Sequence, residues 1–176
     1  MKKINVIDLD ETLIPFDSFR FFVIEKIKSV DIKIIYLTLL RKLRLLSASG
    51  YKKKVILNTK LTDNSKEVDK IVSTILQSIN NDVMEIIKNN SDNETTNILC
   101  SASPDIYVKK VAEYFGWKGF GSYIDGKNFY YMYGENKLEF IQNNYPSIKY
   151  IYNFAISDSE SDLKLLKKFK EYKLVK

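Results

Sequence analysis

Asp8-Leu9-Asp10-Glu11-Thr12-Leu13 follows directly on the apolar stretch Ile4-Asn5-Val6-Ile7, and this junction decides how the chain is read. The apolar residues from Lys3 to Leu9 predict a buried strand. Side chains two apart on a strand share one face, and where the chain turns away both can reach a ligand above the sheet. Two carboxylates buried there without a counter-charge cost several kcal/mol, so a cation or a proton is expected between them. In that setting Asp8 can attack as a nucleophile while Asp10 gives and takes a proton. Taken alone, the segment also fits a strand followed by an acidic turn.

Three later segments bear on that choice. Thr96-Asn97-Ile98-Leu99-Cys100-Ser101-Ala102-Ser103-Pro104 reads as an apolar strand ending in hydroxyl residues before a helix start. Gly134-Glu135-Asn136-Lys137 opens a short helical pattern, and Ile151 to Ile156 runs into Ser157-Asp158-Ser159-Glu160-Ser161-Asp162. Phosphoryl transfer is catalysed mainly by positioning and by stabilising negative charge. A strand-end hydroxyl (Ser101) followed by free helix N-terminal amides suits phosphate oxygens. A fixed ammonium (Lys137) can neutralise another oxygen and keep the nucleophile ionised. Asp158 and Asp8 together offer hard oxygen ligands that favour Mg²⁺ with retained waters. Each residue also has a plainer reading. Lys137 could be one more solvated lysine, Ser101 a buried hydrogen-bonded hydroxyl, and Asp158 and Asp162 helix caps.

In this order the four segments resemble motifs I to IV of the haloacid dehalogenase (HAD) superfamily, which is largely phosphohydrolases. The resemblance spans most of the chain. It implies that Asp8, Asp10 (through its main-chain carbonyl), Asp158 and Asp162 serve the metal, with Asp162 supporting either the metal or the lysine. It implies substrate-phosphate contacts from Thr12, Ser101, Ala102 and Lys137, and catalytic roles for Asp8, Asp10 and Lys137. Two positions depart from the commonest pattern. Glu11 replaces a glycine frequent after the second aspartate, and Ser157 one frequent before the motif IV aspartate. The presence of Asp10 favours phosphoryl over carbon–halogen chemistry, because dehalogenases of the superfamily do not need it.

Length and composition bound the architecture. The 176 residues suffice for one core plus a small appended element. Hydrophobic residues make up 45% and aromatics 13%, a folding rather than a disordered composition. One cysteine, Cys100, rules out an intrachain disulfide, which fits a reducing compartment. The absence of histidine excludes imidazole bases and His-ligated zinc. The apolar run after Met1-Lys2-Lys3 is too short for a signal peptide, and a cytoplasmic location is expected.

From Asp17 to about Asn90 the pattern is helical. Phe19, Phe22, Val23, Ile27 and Val30 fall at helix spacing behind Asp17 or Ser18 as N-cap, and Val68 to Ile87 carries a longer stripe. Beyond the polar run Asn90–Glu94, strand and helix signals alternate. Pro104–Phe115 reads as a helix, Tyr123–Tyr131 as a hairpin turning at Gly126, and Lys137–Asn143 as a helix. Ile148–Ile156, Ser161–Phe169 and Tyr172–Val175 read as strand, helix and strand. Such alternation predicts an α/β fold, a Rossmann-like parallel sheet with helices on both faces and its site at the strand C-termini. An inserted helical cap is expected over residues 16–90, with the core formed by residues 1–15 and 91–176. No internal repeat is visible.

This layout resembles the C1-capped, phosphoserine phosphatase-like branch of the superfamily, some of whose members act on phosphatidylglycerophosphate. The resemblance predicts reaction better than substrate, since specificity belongs to site and lid. Net charge is +6, which favours anionic partners. The run Ile34–Leu40, flanked by Lys33 and Arg41, is far too short to span a bilayer. A packed cap helix is the favoured reading of it over an interfacial anchor. Nucleic-acid binding is not expected, because no recognition motif is present. The expectation is a magnesium-dependent phosphomonoesterase working on a small phosphorylated metabolite through an aspartyl-phosphate. A lipid-phosphate phosphatase, a phosphomutase and a non-catalytic phospho-ligand-binding protein are the alternatives.

Overall fold

The structure, a computed structural model, describes residues 1–175. Strands β1 (Lys2–Ile7), β2 (Thr95–Pro104), β3 (Lys118–Asp125), β4 (Asn128–Tyr130), β5 (Tyr150–Ser157) and β6 (Glu171–Leu174) form one sheet in the order β4-β3-β2-β1-β5-β6. The helices are α1 (Ser18–Lys28), α2 (Ile32–Lys42), α3 (Ala48–Thr59), α4 (Ser65–Gln77), α5 (Asn81–Asn89), α6 (Asp105–Tyr114), α7 (Glu135–Asn144) and α8 (Leu163–Leu166). All strand pairs are parallel except β3–β4, a hairpin that turns through Gly126 at φ 55°. This is the Rossmann-like α/β arrangement expected from the sequence.

Strand alternation sorts the core onto two faces. Ile4, Val6, Ile98 and Cys100 pack with Ile141 of α7 and with Leu165 and Leu166 of α8. Ile7, Leu99, Phe154 and Ile156 face the other way, packing with Tyr107, Val108 and Val111 of α6. The apolar side chains of α1 to α5 join this second cluster. Asn5, fully buried, sits among them. Its amide donates to Asn90 O at 3.0 Å and to Asn97 Oδ1 at 2.9 Å, while its Oδ1 accepts from Asn153 and Phe154 N. The pairing of β1 with β5 shifts at this point, between Ile4 and Asn5. A satisfied polar cluster thus fastens the end of α5 to the sheet below the site.

Helices α1 to α5 lie between β1 and β2. Asp17 is the cap of α1, accepting from Arg20 N at 2.8 Å. The stripe Val68–Ile87 is not one helix. Asn80 breaks it, its Oδ1 accepting from Asp82 N at 3.1 Å and so starting α5 afresh. The expected helix over residues 161–169 shrinks to a tight turn, Glu160–Asp162, and the short α8. Ser159 and Ser161 explain this, since their hydroxyls bond each other and Ser159 caps Ser161 N, competing with helix bonds. Strand β2 runs through the hydroxyl residues as far as Pro104, which pairs with Ser122. There Gly121 lets the backbones close in, for a Cβ on it would lie 2.5 Å from Ser103 O.

The run Ile34–Leu40 lies in α2 and packs by one face only. Ile34 and Leu37 are buried, whereas Ile35, Tyr36 and Leu39 are exposed. No helix among the described residues is long and apolar enough to cross a membrane.

Candidate active site

Strand β1 ends at Ile7, and Asp8 N–H still reaches Ile156 O on β5 at 3.0 Å. The chain then makes one wide turn over Leu9–Leu13, closed by Ile14 N–H to Leu9 O at 3.1 Å. Within it Asp10 remains extended and Glu11 is left-handed at φ 55°. That conformation explains why glycine suits the position. The turn lifts Asp8 and Asp10 to the C-terminal edge of the sheet, where both line a cavity of about 190 Å³.

Asp8 is buried. Its Oδ1 accepts from Lys137 Nζ at 2.7 Å, a cation that α7 delivers from the other side of the sheet. The same ammonium donates to Asp162 Oδ2 at 2.6 Å. Burial pushes the Asp8 carboxyl up to about 7 while Lys137 pulls it down. Burial alone would lower the Lys137 ammonium, but the carboxylates of Asp8 and Asp162 outweigh it and raise it. Lys137 is therefore a fixed charge inside the site, not a solvated lysine. Gly134, at φ 56°, begins α7 and gives its carbonyl to Lys137 N–H at 3.0 Å.

Asp10 faces a different set of donors. Its Oδ1 accepts from Ser18 N–H at the start of α1 at 2.7 Å. Its Oδ2 accepts from Ser101 Oγ at 3.0 Å and Ser103 Oγ at 2.6 Å. The hydroxyl of Ser101 is thus engaged with Asp10, although Ser101 and Ala102 both line the cavity. The Ala102 carbonyl accepts from Lys52 Nζ and from Ser122 Oγ, each at 2.7 Å.

Thr12 is turned toward the motif at the end of β5 and is not part of the cavity lining. Its Oγ1 accepts from Asp158 N–H at 2.8 Å and lies 3.2 Å from Asp158 Oδ1 and 3.4 Å from Asp8 Oδ2. One hydroxyl within reach of both carboxylates brings Asp8 and Asp158 to a common point. No group of three Asp, Glu, Cys or His side chains among the described residues is arranged so as to hold a metal ion. Two carboxylates still suit Mg²⁺, which binds through one or two carboxylates and keeps its waters. Asp162 serves the lysine. Its Oδ2 takes Lys137 and Ser157 Oγ, leaving Oδ1 buried with no partner among the described residues. Ser157 thus turns inward onto Asp162 in place of the usual glycine.

Four lining residues outside the four motif segments were not foreseen: Asp17, Lys52, Tyr131 and Tyr133. Lys52 belongs to a lysine triplet that reads as surface charge. Its spacing of three and four from the buried Val55 and Ile56 was the available signal. Its ammonium lies 4.7 Å from the Phe19 ring centroid and 5.4 Å from that of Tyr131. Burial lowers its pKa. The two tyrosines come from the end of the β3–β4 hairpin and stack on each other at 5.4 Å. A wider cavity of about 530 Å³ opens by Met1 and Tyr150, at the strand starts, and has no carboxylate in its lining.

Comparison with solved structures finds the same architecture. A protein of unknown function from Bordetella pertussis Tohama I superposes with a TM-score of 0.71 at 14% identity, covering 98% of this chain and 89% of that one. A substrate-bound phosphoserine phosphatase complex gives a TM-score of 0.60 at 16% identity, covering 98% and 85%. A phospho-aspartyl intermediate analogue of phosphoserine phosphatase gives 0.57 at 17%, covering 97% and 85%. At such identities these likenesses establish the fold. No curated protein sequence matches. The family model for haloacid dehalogenase-like hydrolases, however, matches residues 6–167, and so nearly the whole chain. The chain belongs to the haloacid dehalogenase-like hydrolases.

Proposed function

We propose that the protein is a magnesium-dependent phosphomonoesterase that works through an aspartyl-phosphate on Asp8. The observation that carries this reading is the division of labour between two carboxylates two residues apart. Asp8 touches a fixed ammonium, whereas Asp10 accepts from two hydroxyl donors and one amide donor. An Asp8 oxygen attacks phosphorus, the ester P–O bond breaks, and Asp10 gives its proton to the departing oxygen. Asp10 then takes a proton from water, which attacks the phosphorus and frees phosphate from Asp8. Lys137 holds Asp8 in place and offsets charge on the phosphoryl oxygens. Mg²⁺, held by Asp8, Asp158 and the Asp10 carbonyl, would neutralise further phosphoryl charge. Cavity-lining Ser101 and Ala102 are assigned to the phosphate, and Thr12 acts by bracing Asp158.

Helices within residues 16–90 act in this reading as the lid that excludes water and reads the leaving group. Lys52, which α3 inserts over the site and which has no carboxylate partner among the described residues, is its most direct contact. A cytoplasmic setting is consistent with the buried free thiol of Cys100. One observation favours the lipid-phosphate alternative over a small polar metabolite. Through Asp17, Lys52 and Tyr131 the catalytic cavity adjoins a second one of about 440 Å³, lined by Phe19, Val23, Ile24 and Ile27. A leaving group with an apolar body fits there.

The test is turnover of a panel of phosphomonoesters, lipid phosphates included, with Mg²⁺, followed by borohydride reduction during turnover. Reduction of an acyl phosphate on Asp8 leaves homoserine at that position, which peptide mass spectrometry locates. Turnover that leaves Asp8 unmodified and survives Asp8→Asn would refute the covalent route.

A further inference from the structure

Helix α2 has two apolar faces and only one of them is covered. Ile34 and Leu37 point into the protein, and Thr38 bonds Tyr51 on the same side at 2.8 Å. On the opposite side Ile32, Tyr36, Leu39 and Leu43 follow one another at helix spacing, with exposures of 76%, 59%, 53% and 59%. The chain continues the patch at both ends, where Val30 and Leu45 are exposed by 69% and 68%. Isolated exposed aliphatics need no explanation, but a contiguous stripe marks a surface that meets something apolar.

Charge identifies the occupant. Between Lys26 and Lys60 the sequence carries ten lysines and arginines against one acid, Asp31. Asp31 is itself consumed as the cap of α2, accepting from Ile34 N at 3.2 Å. Lys26 and Lys28 are paired with Glu67 and Glu25. Among the described residues Lys33, Lys42 and Arg44 have no carboxylate within ion-pair distance, and by helical phase Lys33 and Lys42 flank the apolar stripe on either side. A second copy of the chain meeting this face about a two-fold axis would oppose like charges. Nucleic acid would satisfy the cations and leave the leucines in water.

We propose that this face docks on an anionic lipid bilayer, with α2 lying in the plane of the interface. Ile32, Tyr36, Leu39 and Leu43 enter the acyl boundary while Lys33, Lys42 and Arg44 meet the headgroups. The arrangement reverses the preference that the sequence supports for a fully packed α2. It stands independently of the reaction assigned to the site.

Co-sedimentation of the full chain with vesicles of phosphatidylglycerol and phosphatidylcholine, against pure phosphatidylcholine, tests it. Binding is expected to the anionic vesicles, with strong loss in about 1 M salt, where the Debye length is ~3 Å. Leu39→Glu/Leu43→Glu should weaken it at least about tenfold without changing the circular dichroism spectrum. Leu39→Ser/Leu43→Ser, which adds no charge, should weaken it in the same direction. Lys33→Glu/Arg44→Glu should remove the preference for anionic lipid. Equal binding to neutral vesicles, no binding at low salt, or undiminished binding of both leucine variants would overturn the proposal. So would a concentration-dependent dimer that the leucine variants disperse in a protein that ignores vesicles.

Discussion

Thr12 Oγ1 accepts a 2.8 Å hydrogen bond from the main-chain N–H of Asp158, tying the loop after β1 to the loop after β5. The same oxygen is 3.2 Å from Asp158 Oδ1, so Thr12 fixes both the backbone and the side chain of that aspartate. Asp158 →Ala removes one of few hard ligands, and Mg²⁺ affinity should fall by roughly 100-fold or more. Thr12→Val keeps shape and loses only the brace, for which a loss of about 10-fold is expected. Calorimetric titration of Mg²⁺ checks both. Unchanged affinity in Asp158→Ala would exclude it as a ligand.

The nucleophile makes a sharper prediction. Asp8→Asn keeps the size of the side chain, and Lys137 retains Asp162 as its partner. Folding should therefore survive, while turnover falls roughly 10³-fold or more because an amide cannot attack phosphorus. Near-native thermal unfolding with no phosphatase activity is the expected pair of results.

Lys137 should also be visible in titration. Burial pushes Asp8 up to about 7 and the neighbouring ammonium opposes that rise. Lys137→Met removes the opposing charge, so in the metal-free protein Asp8 should titrate at higher pH than in the wild type. Carbon-13 NMR of labelled aspartate follows this directly. A midpoint that stays put or moves down would mean that the contact at 2.7 Å does not govern Asp8.

How far the sequence revealed this arrangement varies with the kind of feature. The succession of strands along the chain and the acidic turn were legible because apolar runs ending at Asp8 and Asp158 impose their own geometry. The engagement of Ser101 with Asp10 was not, since a hydroxyl on a strand end carries no sign of its partner. Lys52 was hidden for another reason: within a lysine triplet only helical phase distinguishes the inward residue from its neighbours. The exposed side of α2 was hidden as well. The residues Ile34 to Leu40 are nearly all apolar, so periodicity alone cannot say which face is covered.

Backbone strain gives an independent check on the loop after β1. Glu11 holds φ 55°, a conformation that costs a side-chain-bearing residue roughly 1 kcal/mol and glycine little. Glu11→Gly should leave stability unchanged or raise it by up to about 1 kcal/mol, despite the usual entropic cost of glycine in a loop. Gly134→Ala meets the opposite situation, since Gly134 itself holds φ 56°. Stability should fall by roughly 1–3 kcal/mol, and activity with it as Lys137 shifts. Urea unfolding of the two variants checks this, and the reverse order of stabilities would refute it.

Lys52 separates recognition from architecture. Its ammonium is buried beside the Phe19 and Tyr131 rings, and the polar group it reaches is the Ala102 carbonyl at 2.7 Å. A buried cation held by a neutral acceptor costs stability unless an anion arrives. Lys52→Met preserves most of the volume and the ring contacts while removing the charge. The folded protein should be as stable as the wild type or slightly more so. If Lys52 contacts substrate oxygens, KM should rise by about tenfold with a smaller change in kcat, the pattern of lost ground-state binding. If the residue merely clamps α3 to β2, the variant should instead unfold more easily and keep the wild-type KM. Steady-state kinetics and thermal unfolding on one preparation decide between the two, because the binding role and the clamp predict changes in different measurements.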